Sequence, residues 1–169
     1  MIGNDIIDLA LAQKESNWKR KGFLDKIFTL QEQLFINLSE NQEIEVWNLW
    51  SRKEAAYKIY NRQTGIKKYN PLQFECFNLN LAIGTVMFEN QLFYTKTDIT
   101  SEYIYTIAVA DIENFDIIYD LESTKIIKKQ NGIPFYINEN QIIKPVSKTN
   151  HGRFERIISV TSMPNEILV

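Results

Sequence analysis

The chain begins with MIGNDIID, a short β-branched, apolar run broken only by Asn4, Asp5 and Asp8, which predicts a strand. Strand alternation puts Asp5 and Asp8 on opposite faces. SNWKRKGFLDKIF, residues 16–28, is helical in composition but interrupted by Gly22. TLQE at 29–32 has capping-box spacing: the Thr29 oxygen caps the amide three residues on while Glu32 reaches back, for roughly 1 kcal/mol. A short helix, LQEQLFINL, should follow. SENQ at 39–42 repeats the logic with glutamine and predicts the start of the longest helix, ending near Asn61 with Thr64-Gly65 as the stop.

After Asn70-Pro71 the texture changes to strands: FECFNLNLAIGTVMF, QLFYTKTD and YIYTIAVAD, with GT and EN as turn candidates. A third group follows, FDIIYDL, IPFYI, IIKPVS and FERIISV, with QNG and NEN as separators. GTVMFENQLFY and GIPFYINENQII each read as a hairpin around an ENQ turn. Strand, then helices, then strands argues for an α+β fold, a mostly antiparallel sheet packed against a long helix. One domain is expected over residues 1–160, with a loosely held tail at 161–169.

Composition narrows the possibilities. A chain of 169 residues with 44% hydrophobic content can build one core. A net charge of -2 with 24% charged residues argues against disorder and against nucleic-acid binding through bulk charge. Any anionic partner must meet a local basic patch. Cys76 in FECF reads as a buried strand cysteine, and one cysteine with one histidine, His151, argues against structural zinc. No apolar run has the length of a membrane span, and MIGNDIIDL lacks the basic start of a signal peptide. A soluble cytoplasmic protein without membrane or nucleic-acid partners is expected.

On a helical wheel the long helix gathers Val46, Leu49, Trp50, Ala56, Tyr57 and Tyr60 on one side. Lys53 falls inside that arc, Glu54 near its edge, and Arg52 points outward as a solvated residue. Glu54 stands four positions before Lys58, the favourable order for a helical ion pair. Either Lys53 and Glu54 snorkel to the rim, or something charged meets them on the packed side. The first strand supplies a reason for the second option. Of its two acids, one suits a bond to helix backbone. The other, amid apolar neighbours, suits a cation. A strand carboxylate and a helix carboxylate, completed by water and phosphate oxygens, form the usual shell of magnesium.

IGNDIIDL, then FT-LQE, then WSRKEAAYK resembles the 4'-phosphopantetheinyl transferase superfamily, which includes the holo-acyl-carrier-protein synthases. Its two signatures, G-x-D and W-[ST]-x-K-E-[AS]-x-x-K, correspond to Gly3-Asn4-Asp5 and Trp50 through Lys58. RKGFLDKIFTLQE is similar to the segment between them. Ile7 stands where some members carry a second acid, which places the chain nearer the short, synthase-like branch. SKTNHGRF, with Ser147, Thr149 and His151, is the nearest match to the family's S-x-S-H segment by the coenzyme. The likeness covers the first 58 residues well and the rest loosely.

The resemblance implies transfer of the phosphopantetheine arm of coenzyme A to a carrier-protein serine, leaving adenosine 3',5'-bisphosphate. Asp5 and Glu54 would hold Mg2+ on the pyrophosphate. Lys58 would neutralise developing charge, with Lys53 beside it on the coenzyme. Glu54, or a water near the metal, would take the serine proton. Trp50 would pack the helix and shape the site. His151 and Arg153 are candidates for the 3'-phosphate; the alternative is a turn set by Gly152. Lys19, Arg20 and Lys21 are candidates for docking an acidic acyl or peptidyl carrier; the alternative, as for Lys67-Lys68, is ordinary surface. Fatty-acid, polyketide and peptide-synthase carriers all remain open. Short members of the family build the site between subunits of a trimer, which leaves a trimer open here; the alternative is that strands from Asp111 onward cover that surface. The other readings are a catalytically silent relative that binds a carrier protein or coenzyme A, and a magnesium-dependent nucleotide hydrolase on an unrelated fold, against which the lack of a glycine-rich phosphate loop counts.

Overall fold

Gly3 fixes how the chain's longest helix meets its first strand. A Cβ at Gly3 would sit 2.0 Å from the Ala55 carbonyl oxygen, so only glycine lets the backbones approach this closely. In the computed structural model, which describes residues 1–122 and 125–161, the strand is β1 (Ile2–Asp8). It leads into α1 (Leu9–Glu15), α2 (Phe23–Ile27), α3 (Leu30–Leu38) and the long α4 (Gln42–Thr64). Four strands follow, β2 (Glu75–Asn78), β3 (Ile83–Phe88), β4 (Gln91–Ile99) and β5 (Tyr103–Val109). A 3-10 turn over Ile112–Ile117 leads to β6 (Ile118–Asp120), β7 (Lys128–Gln130), β8 (Ile133–Ile137), β9 (Ile143–His151) and β10 (Phe154–Val160). Beyond Thr161, the tail expected to be loosely held lies outside the described residues.

The α+β expectation holds, with two sheets rather than one. The first runs β1-β5-β4-β3-β2, the second β6-β10-β9-β8-β7, and their strand pairs are antiparallel. α4 lies across β1 and β5 on one side of the first sheet, while β9 runs beside β1. The main core fills the space between α4, the short helices and the sheet, and includes Phe74 stacked on Phe88 at 4.3 Å. Among the described residues no helix is long and apolar enough to cross a membrane.

The capping box forms as expected: Thr29 Oγ1 accepts from Glu32 N at 3.3 Å and Glu32 Oε2 accepts from Thr29 N at 2.8 Å. The start of α4 differs from expectation. Asn41 caps it by accepting from Ile44 N at 3.2 Å, because Ser39 Oγ is engaged with the Asn41 backbone. The helix continues to Thr64 and stops at left-handed Gly65. The EN turn is real, with Glu89 at φ 52, but Gly84-Thr85 lies within β3. The turn before it is made at 79–82, where Asn80 Oδ1 accepts from Ala82 N and Ile83 N at 2.9 and 2.8 Å. Cys76 is buried in β2, as its apolar neighbours suggest.

Candidate active site

β1 is an edge strand of the first sheet, yet its outer amides are not free. Ser147 Oγ accepts from Asn4 N at 2.9 Å, Thr149 Oγ1 from Ile6 N at 3.2 Å, and His151 Nδ1 from Asp8 N at 2.9 Å. Three side chains at alternate positions of β9 thus form a ladder along β1. Two rungs turn back onto polar side chains: Ser147 Oγ donates to Asn4 Oδ1 at 2.7 Å, and Thr149 Oγ1 donates to Asp5 Oδ1 at 3.1 Å. An accepting Nδ1 leaves the proton of a neutral His151 ring on Nε2.

The two acids of β1 have separate tasks. Asp8 caps α1, accepting from Ala10 N and Leu11 N at 3.1 and 3.4 Å. It also takes Arg153 in a two-pronged pair, Nε to Oδ2 at 2.9 Å and Nη2 to Oδ1 at 3.0 Å. That guanidinium holds its carboxyl well below the usual carboxylate range. Asp5 is buried, and burial pushes its carboxyl up, against the pull of Lys58. Lys58 Nζ donates to the Asn4 carbonyl at 2.6 Å and to Asp5 Oδ1 at 3.3 Å. The ion pair of Lys58 is therefore with Asp5 across the elements, not with Glu54 along the helix.

From residue 45 to residue 60, α4 is buried except at Trp50, Glu54, Tyr57 and Lys58. Their spacing traces one stripe, and it is the stripe that faces the site. Burial and then the Asp5 charge push the Glu54 carboxyl up to about 7, with Lys58 opposing. Two cavities meet along this stripe. One, about 380 Å3, is lined by the polar Asp5, Glu54 and His151 and by the apolar Ile7, Phe23 and Trp47. The other, about 290 Å3, lies between Lys58 and Arg62 on α4 and the β7–β9 strands, with Lys129 and Lys148 in its walls. Asn150 lines both.

A family model described as the 4'-phosphopantetheinyl transferase superfamily matches residues 1–117. The chain belongs to that superfamily. Among solved structures, the holo-[acyl-carrier-protein] synthase of Helicobacter pylori, in complex with coenzyme A, is similar at a TM-score of 0.51 and 18% identity, covering 64% of this chain and 98% of that one. The apo ACPS of Chronobacterium ammoniagenes aligns at a TM-score of 0.52 and 12% identity, covering 64% of this chain and 93% of that one. Its coenzyme A complex aligns at 0.50 and 12% identity, covering 63% and 93%. At these identities the likeness is one of fold. None of the curated proteins matches the chain.

For this superfamily member, the structure gathers Asp5, Glu54, Lys58 and His151 but separates the other candidates from them. Lys53 is fully buried, its Nζ donating to Glu32 Oε2 at 2.6 Å and to the Pro71 carbonyl at 2.9 Å. An ammonium enclosed in this way has no opening to a coenzyme, which corrects the coenzyme-binding expectation for Lys53. Arg52, expected on the solvated face, is also fully buried. It donates to Asn48 and Asn78 side chains and to the carbonyls of Asn80 and Leu81, holding the 79–82 turn against the helix. Trp50 is half-buried and packs against the main core as expected, edge-on to Tyr69, and it also lines the larger cavity. Arg153 is engaged by Asp8 and Glu102, so its main task is tying the β9–β10 hairpin to β1. Gly152 makes that tie possible: its φ is +54, and a Cβ there would meet Asp8 Oδ2 at 2.5 Å. Lys19, Arg20 and Lys21 are exposed between α1 and α2, and Arg20 reaches the mouth of the larger cavity. Lys67 and Lys68 are exposed just past α4. Lys129 and Lys148, which line the smaller cavity, were not singled out in the sequence; Thr149 was, within SKTNHGRF, but its bond to Asp5 spans 144 residues and had no local signal.

The donor set near Asp5 suits a divalent cation. Two carboxylates line one cavity, each pushed toward its protonated form by burial, and each would be relieved by a positive charge between them. Among the described residues no cluster of three or more His, Cys, Asp and Glu side chains exists.

Proposed function

We propose that this protein transfers the 4'-phosphopantetheine group of coenzyme A to a serine hydroxyl of an acidic carrier protein, giving the holo carrier and adenosine 3',5'-bisphosphate. The observation that carries this reading is the position of Asp5, Glu54 and Lys58 where two cavities meet, since the reacting phosphate has a different substituent on each side. Coenzyme A in the Helicobacter pylori synthase, which shares the fold, supports coenzyme A as the donor.

Asp5 and Glu54 would hold Mg2+, which when bound supplies positive charge to the pyrophosphate oxygens. The serine oxygen forms the new bond to the phosphorus nearest the pantetheine arm, and the bond from that phosphorus to the adenosine 5'-phosphate oxygen breaks. The serine proton goes to the Glu54 carboxylate or to a water held near the metal. Lys58 stabilises charge gathering on the phosphate oxygens. His151, through Nε2–H, is a donor to the same phosphates. Lys19, Arg20 and Lys21 form a local positive patch for the carrier, and docking there is sensitive to salt.

The test is incubation with coenzyme A, Mg2+ and an apo carrier protein, read by intact mass. A carrier heavier by one phosphopantetheine, with release of adenosine 3',5'-bisphosphate, is expected. Cleavage of coenzyme A without modification of the carrier would make the protein a hydrolase. Binding without either product would make it a silent relative.

A further inference from the structure

Tyr69 stands in the loop that follows α4, and its ring lies across the open stripe of that helix. The ring centroid is 6.1 Å from that of Trp50 and 4.6 Å from that of Tyr57. Glu54 comes four residues after Trp50 and three before Tyr57, so it leaves the helix on the same face, between them. A ring that reaches both neighbours spans the turn from which Glu54 projects. Phe74 backs the same ring at 5.7 Å. The loop itself is pinned. Lys53 Nζ, buried beside Glu32, donates to the Pro71 carbonyl at 2.9 Å, and Asn70 Oδ1 accepts from Leu72 N at 3.3 Å. The buried lysine of α4 therefore anchors the segment that carries Tyr69.

Packing alone asks only for the ring. Tyr69 Oη is buried, and among the described residues it has no hydrogen-bond partner. A buried hydroxyl left unpaired costs stability, and a phenylalanine would fill the same place without that cost. Burial, and then the nearby Glu54 charge, push the hydroxyl well above the ordinary tyrosine range, so at neutral pH it keeps its proton and is a donor. Glu54 acts on it more strongly than Asp5 or Glu32 does. Tyr69 is not among the residues lining the larger cavity, whereas Glu54 is, so the hydroxyl approaches Glu54 from the protein side.

We propose that Tyr69 is a positioning residue for Glu54: its hydroxyl donates to one carboxylate oxygen and so directs the other toward the cation. Tyr69 meets neither coenzyme nor carrier and acts through Glu54 alone. The assignment rests on Glu54 as a metal ligand, and so on the transferase reading. It also gives the buried Lys53 a task, since its bond to Pro71 holds the donor in register with Glu54.

The experiment is a titration of Mn2+ into the whole chain with coenzyme A present, read by paramagnetic resonance against coenzyme A alone as the blank. Melting curves in chelator and in Mn2+ accompany it. The variants are Tyr69→Phe and, as control, Tyr103→Phe, whose hydroxyl meets Asp98 at the surface. Tyr69→Phe should weaken Mn2+ about tenfold, the loss expected when a group that orients a metal ligand is removed. Its melting temperature in chelator should equal or exceed that of the wild type, because an unpaired buried oxygen is gone and the ring stays. Its gain in melting temperature from Mn2+ should be smaller than the wild type's. Tyr103→Phe should bind Mn2+ as the wild type does. Unchanged Mn2+ affinity in Tyr69→Phe makes the residue a packing ring and overturns the assignment, while the transferase reading stands. A lower melting temperature in chelator also overturns it, since the hydroxyl would then have its partner within the fold. A wild type that binds neither coenzyme A nor Mn2+ overturns the transferase reading and this assignment with it.

Discussion

The two sheets meet at β1 and contribute in opposite ways. The first sheet and α4 carry the titratable side chains Asp5, Glu54 and Lys58 on backbone that is buried almost throughout. The second sheet brings mostly neutral groups to the same place: the hydroxyls of Ser147 and Thr149 and the ring of His151. The first places charge, and the second fixes where the charge points. The difference teaches that a carboxylate is not positioned by its own strand alone. Asp5 is aimed from both sides, by Lys58 at 3.3 Å and by Thr149 at 3.1 Å.

Removing the charge should produce the largest effect. Asp5→Ala and Glu54→Ala should each abolish transfer, by roughly 10³-fold or more if charge stabilisation at the phosphate is lost. Circular dichroism should stay close to the wild type. Full activity in either variant, resistant to chelators, would remove the magnesium role.

A contrast within one helix comes next. Lys58→Ala should lower kcat by ~10²-fold with a smaller change in the KM for coenzyme A, because its charge acts on the transition state. Arg52→Ala, six residues earlier in number and on the buried side, should leave the chemistry alone and cost stability instead. Stripping Asn48, Asn78 and two carbonyls of their donor should lower unfolding free energy by about 3–5 kcal/mol in a urea titration. If the two variants exchange these phenotypes, the open-stripe assignment is wrong.

A smaller effect isolates the second sheet. Thr149→Val keeps the shape and removes both hydrogen bonds of Oγ1. We expect a fall of about tenfold in kcat, with weaker Mn2+ binding by paramagnetic resonance, and recovery of both in Thr149→Ser. A loss of melting temperature alone, with unchanged ion binding, would make Thr149 a purely structural rung.

The smallest effect is one of pH. A carboxyl whose pKa is raised by folding binds its proton more tightly in the folded chain. Glu54 therefore adds stability below the ordinary glutamate range, and this is lost as pH rises through about 7; Asp5 acts in the same direction. In chelator the melting temperature should fall across that window, and Mg2+ should restore it at the upper end. Glu54→Gln should flatten the profile. Asp8, with its pKa lowered, works in the opposite direction, and its contribution is lost as pH falls into the acid range.

Local rules read much of this from the sequence. The capping box at Thr29 and Glu32 needs only residues three apart, and the turns at Glu89 and Gly65 need only their own backbone. The acids and Lys58 were legible because their order and spacing carry a family signature. The burial of Arg52 and Lys53 was not. The partners that enclose them stand far along the chain, Glu32 for Lys53 and Asn78 for Arg52, 21 and 26 residues away. A helical wheel knows only its own helix, so it assigned Arg52 to solvent. The ladder on β1 was illegible for the same reason, with rungs 143 residues apart in the chain.

That ladder also bears on solubility. A bare sheet edge is an invitation to another chain's strand, and β1 is a long apolar one. Its outward amides at Asn4, Ile6 and Asp8 are already occupied by side chains of β9, so an incoming strand finds no donors there to pair with. The second sheet thus protects the molecule against edge-to-edge aggregation, at the very strand that carries Asp5.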